Sequence, residues 1–176
     1  MKRIIILAAI FSVVLSGASL WQVMAQSTTM TEAHIERIKA NCIDAQASLT
    51  QLHTSDALLR VNRGRIYESI ATKLMVPFNS RVTSNQLDGK SLIDIYTTYE
   101  KHLAEFRSNY QSYEQSMSET LRINCQNQPV SFYDKVNATS ELRKRVHTSV
   151  VALHKAINNY KVAFDAFAKK FEENDS

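Results

Sequence analysis

Asp56, Arg60, Arg63 and Tyr67 follow one another at spacings of four, three and four, which puts all of them on one face of a helix. They surround the densest polar run of the chain, Arg60-Val61-Asn62-Arg63-Gly64-Arg65. Two chemistries suit these residue types. Arginine presents a planar fork of donors that holds a carboxylate or phosphate bidentately, so the face reads as an anion site. It also reads as an internal polar layer that sets helix register, since Asp56 and Arg60 already form an i,i+4 pair and Arg63 falls where an apolar residue is expected.

Other chemistry-bearing residues point nowhere as definite. Tyr96, Tyr99, Tyr110 and Tyr113 recur at helical spacing and read as a core stripe or an aromatic groove, with spacing favouring the core. His147 and His154 lie two turns apart, but no carboxylate accompanies them in a ligand pattern, so no metal is expected. Cys-x-x-Cys-His, Gly-x-Gly-x-x-Gly, Gly-x-Ser-x-Gly and His-Glu-x-x-His do not occur. The expectation is a non-enzymatic protein without a cofactor. Asn137-Ala138-Thr139 matches a short glycosylation sequon, and Arg143-Lys144-Arg145 and Lys169-Lys170 read as solvated helix faces.

The elements that must carry these residues are helices. Leu92, Tyr96, Tyr99, Leu103, Phe106, Tyr110, Tyr113 and Met117 alternate steps of four and three. So do Val146, Val150, Leu153, Ile157, Tyr160, Phe164, Phe167 and Phe171. A third seam runs through Ile35, Ile38, Cys42, Ala45, Leu49 and Leu52, and less cleanly through Leu59, Ile66 and Ile70. No stretch shows the period-two alternation of a strand. The spacing predicts helices over about 30–76, 91–122 and 131–172. Thr29 with Glu32 opens the first as a capping box, and that helix has a candidate break at Thr54-Ser55-Asp56. Pro77 and Asp88-Gly89 bracket a connection, Ser91 caps the second helix, and Pro129 followed by Ser131 and Asp134 introduces the third. The class is all-α: an elongated antiparallel three-helix bundle with coiled-coil-like packing, as a single domain over 26–176.

Cys42 and Cys125 are placed to bridge. They are symmetric about position 83 or 84, and the arms 42–76 and 90–122 are about 51 and 48 Å long as α-helices. A hairpin therefore levels the two cysteines and sets position 63 opposite roughly 104. On that register Arg63 is expected to be partly buried and paired with Glu100, with His154 near the same layer.

The first 25 residues carry the address. Lys2 and Arg3 precede an apolar run from Ile4 to Leu15, and Val23-Met24-Ala25 offers a peptidase site, the pattern of an export signal. The other reading is an uncleaved anchor over 4–24. The full chain has a net charge of +4; without Lys2 and Arg3 it is +2, too little field to favour nucleic acid.

The run Leu59 to Ile70, with Lys73-Leu74 and Pro77-Phe78-Asn79, resembles uncharacterised exported helical proteins of ultrasmall candidate-phyla bacteria, saccharibacterial lineages among them. The likeness extends to Phe106-Arg107 with Tyr110 and to Phe132-Tyr133. It implies a helical fold and a surface facing the outside or a host cell, and it carries no assigned activity or site residues. Two functions follow as expectations. The leading one is a protein-binding or envelope-scaffold bundle with a protein partner at the cell surface. The alternative is an extracytoplasmic carrier of a small molecule or anion. If the leader is cleaved, exported protein begins at Gln26; intact mass of native material tests this, and retention of Trp21 selects the anchor.

Overall fold

The structure, a computed structural model, describes residues 30–174, and every regular element among them is helical. The leader and the Thr29 cap lie outside the described residues. α1 (Glu32–Ala40) and α2 (Cys42–Ser69) are separated only by Asn41, whose side-chain amide donates to the Arg37 carbonyl. α2 runs unbroken through Thr54-Ser55-Asp56. The hydroxyl of Thr54 bonds back to the Thr50 carbonyl and so stays within the helix instead of capping a new one.

The first helical path does not end near 76. It passes through a π-helical segment, Ile70–Met75, and continues past Pro77 as α3 (Val76–Ser84). The inward residues explain the segment. Tyr67, Ala71, Met75 and Asn79 are all buried and recur every four positions. In an α-helix each such step drifts about 40° off the stripe. The wider π turn absorbs that drift, with the Val76 N–H donating five residues back to Ala71. Pro77, which has no N–H to give, sits in the first turn of α3.

The turn follows α3. Gln86 takes a left-handed conformation with φ 56°, and Gly89 stands at the cap position of α4 (Lys90–Arg122), ahead of the expected Ser91. A Cβ at position 89 would collide with buried Val82, so glycine answers a close approach there. Asn124 accepts from the N–H groups of Gln126 and Asn127, and the chain turns into α5 (Pro129–Asn174). Pro129 opens α5 at the position where a missing donor costs least, leaving Ser131 and Asp134 inside the helix.

α4 runs antiparallel to α2, and α5 antiparallel to α4. The Tyr99 hydroxyl donates to the Tyr67 carbonyl, and Tyr113 faces Asp56, both within two positions of the register set by Cys42 opposite Cys125. That disulfide is formed, with its Cα atoms 5.6 Å apart and both residues buried. α4 and α5 make the most extensive contact. The expected seam of α4 is its buried face, with Leu92, Tyr99, Leu103, Phe106, Tyr110, Tyr113 and Met117 all inside. Tyr99, Tyr110 and Tyr113 are core residues, and Tyr96 is half-buried against the core. On α5, Leu153 and Tyr160 are buried, whereas Phe164 is 39 % exposed.

Nearer the disulfide, α4 and α5 meet through hydroxyls. Thr139 lies 2.7 Å from Ser116 and 2.9 Å from Thr120, all buried, and Asn109 donates to Ser149. These small side chains let the helices approach closely and consume the hydroxyl of the sequon threonine. Replacing both cysteines with alanine is expected to destabilise the fold by about 4–5 kcal/mol on the chain-entropy account of a loop this long. Circular dichroism should keep its helical signal; an unchanged melting temperature would contradict the account.

Candidate functional site

Between Asp56 and Tyr67, α2 buries nothing. The inward positions of that stretch are Arg60 and Arg63, and both are exposed. Taking a guanidinium out of water without a partner costs several kcal/mol, so α2 stands off from α4 and α5 here. The gap is a cleft of about 530 Å3. α2 contributes Asp56, Leu59, Arg60 and Arg63; α4 contributes Phe106, Tyr110 and Tyr113; and α5 contributes residues from Ser140 to Val150.

One end of the cleft is closed by an ionic layer that joins all three helices. Arg143 grips Asp56 with two hydrogen bonds, 2.7 and 3.0 Å, and the Tyr113 hydroxyl donates to the same carboxylate at 2.7 Å. Burial pushes the Asp56 carboxyl up, but the Arg143 and Tyr113 hydrogen bonds outweigh it and hold the group below its ordinary value. A polar layer does therefore exist on this face, but its arginine is Arg143. The reading of Arg143 as merely solvated is corrected. Its position 87 residues beyond Asp56 repeats between Tyr67 and His154, whose side chains are 3.0 Å apart, because α5 runs parallel to α2 in constant register.

At the other end Gly64 lies against Phe106, with room for a Cβ at 3.9 Å from its ring edge. Tyr67 is buried beyond that closure, outside the cleft. Arg60 lies over the Tyr110 ring, 4.8 Å from its centre. Tyr110 donates to Glu114, which also contacts His53; burial and that bond push the tyrosine up to about 12.

Arg63 does not pair with Glu100. Arg63 faces water in the cleft, while Glu100 lies outside it, where burial and the Glu100 charge together push the Tyr96 hydroxyl up. The expected register is right, but Arg63 turns into the cleft and Glu100 does not, so the pair does not form. Of the predicted set, Asp56, Arg60 and Arg63 share the cleft, and Tyr67 and Glu100 do not.

The lining carries Arg60, Arg63, Arg143 and Lys144 against the carboxylate of Asp56. Arg143 is committed to Asp56, and Lys144 to Glu141 at 2.6 Å. Arg60 and Arg63 have no acidic partner among the described residues. At i,i+3 their side chains are neighbours, so both forks can converge on one anion. Phe106, Val146 and Val150 line the cleft without having been legible as such in the sequence, because seam positions are normally covered by the next helix. No group of three or more His, Cys, Asp or Glu among the described residues is placed to hold a metal.

No protein-family model, curated protein or solved structure matches the chain.

Asp56→Asn should cost about 2 kcal/mol, the scale of hydrogen bonds to a charged group. The folded Asp56 is more acidic than the unfolded one, so its contribution is complete above about pH 4 and is lost as pH falls through the folded value. Wild-type melting temperature should therefore drop on acidification below that point, and the gap between wild type and Asp56→Asn should narrow there.

Proposed function

We propose that this protein is an exported, non-enzymatic binder of small anions, built as an elongated antiparallel three-helix bundle with coiled-coil-like packing. The observation that carries the reading is the pair of guanidiniums, Arg60 and Arg63, held without an acidic partner at the mouth of a cleft of about 530 Å3. That volume falls within the roughly 300–1,000 Å3 of small-molecule sites. A register-setting arginine would instead be buried against a carboxylate, as a broken buried pair is strongly destabilising.

Export is supported by the leader and by the Cys42–Cys125 bridge, since disulfides persist in oxidising compartments. Among the described residues no helix is long and apolar enough to cross a membrane, so an anchor would have to lie in residues 4–24. The modest net charge remains a reason against a nucleic-acid partner. The protein-binding or scaffold reading draws on exposed Leu58, Val61, Ile66 and Leu74. It ranks second because it assigns no role to the cleft or its two free arginines.

The joint variant Arg60→Ala, Arg63→Ala tests the assignment. Both side chains are exposed, so folding stability should change by less than about 1 kcal/mol. In a thermal-shift panel of small organic anions, at least one should raise the melting temperature of wild type and not of the variant. A large intrinsic loss of stability would return these arginines to a structural role.

A further inference from the structure

The cleft is not uniformly polar. Its floor is formed by Phe106 and Tyr110 of α4, both buried, and Val146 and Val150 of α5, both half-buried. Leu59, 48 % exposed, adds an apolar wall on α2. The two tyrosine hydroxyls that border the cleft are already used: Tyr110 donates to Glu114 and Tyr113 to Asp56. The Thr148 hydroxyl is bound to the Lys144 carbonyl. Ser140 and His147, the remaining polar side chains of the lining, are exposed residues of α5, so the Phe106–Val146–Val150 floor itself has little to offer a hydrated inorganic anion, which needs donors on every side. It offers apolar surface, worth about 25 cal/mol per Å2 covered.

The free positive charge sits on one rim, at Arg60 and Arg63. From the Asp56–Arg143 layer to Gly64 the cleft spans eight residues of α2, about 12 Å. The ionic layer borders one end, and Gly64 beside Phe106 borders the other.

We infer that the ligand is a small amphipathic organic acid, with one anionic head held by Arg60 and Arg63 and a short apolar body on the Phe106–Val146–Val150 floor. This rests on the anion-binding reading and adds the ligand's chemical class. A single head matches the two uncommitted guanidiniums, because Arg143 and Lys144 are already paired. An extended apolar body of about 12 Å matches the length of the cleft along α2.

Isothermal titration of the purified, disulfide-bonded protein with octanoate, inorganic phosphate and octanol tests the inference. Octanoate should bind, and both comparison compounds should bind about tenfold or more weakly, since each lacks one of two contributions of about 1.4 kcal/mol or more. Leu59→Asn, at an exposed position, should weaken octanoate about tenfold while the melting temperature holds. Arg60→Ala should weaken octanoate and leave octanol unchanged. Equal binding of phosphate and octanoate, insensitive to Leu59→Asn, would overturn the amphipathic class and leave the anion reading standing. Octanol binding as well as octanoate, unaffected by Arg60→Ala, would overturn both, as would no binding of any of the three. Binding to phosphatidylglycerol vesicles without binding to octanoate would replace the inference with a membrane-surface role.

Discussion

A guanidinium cannot enter an apolar core without a partner, and α2 carries two of them on the face that turns toward α4 and α5. Asp56, Arg60, Arg63 and Tyr67 lie on one stripe, yet only its ends are satisfied. Asp56 finds Arg143 and Tyr113, and Tyr67 enters the main core beside Ala71, Met75 and Phe106. Between them the desolvation cost of Arg60 and Arg63 keeps α2 off its neighbours. The cleft is the consequence. Its volume, its charged rim and its apolar floor all follow from one stretch of helix that cannot close.

Holding such a gap open requires the rest of α2 to be pinned. Below the cleft, the Cys42–Cys125 bridge works with hydrogen bonds from Gln46 to the Ile123 carbonyl and from Gln126 to the Lys39 carbonyl. Above it, the π segment keeps Ala71 and Met75 on the buried stripe, and α3 packs Phe78 against Phe164 and Phe167 of α5. α4 and α5 supply a rigid backing, joined by apolar residues and by the Ser116–Thr139–Thr120 hydroxyl chain.

The electrostatics divide the cations by task. Arg143 and Asp56 form the bidentate pair, with the carboxylate largely shielded at 12 % exposure and the guanidinium half in water at 49 %. That geometry lets the pair contribute stability while the arginine stays hydrated, unlike a wholly buried ion pair. Arg60 instead rests on the Tyr110 ring, which holds its stem in place without neutralising its charge. Among the described residues, Arg63 has no hydrogen-bond or ion-pair partner. Positive charge is thus structural at one end of the cleft and available in its middle.

The alternation of three and four along Leu92 to Met117 determined a buried helix face without reference to any partner, because that period admits only one stripe. The symmetric cysteines likewise determined which residues of α2 and α4 stand level, since rise per residue is constant. Both were legible from the chain alone. The place of the turn was not, because Pro77 breaks an α-helix but can open a new α turn after a π segment, and only the burial of Ala71, Met75 and Asn79 selects that conformation. Nor could the sequence say which cation would meet Asp56. Arg60 is nearest along the helix, but Arg143 arrives from α5 at the right height and angle, and pairing across helices depends on the distance between their axes. For Arg63 and Glu100 the level was readable, and which of them would face the cleft was not. Helical periodicity describes one helix at a time, whereas a cleft is a property of the space that three helices leave between them.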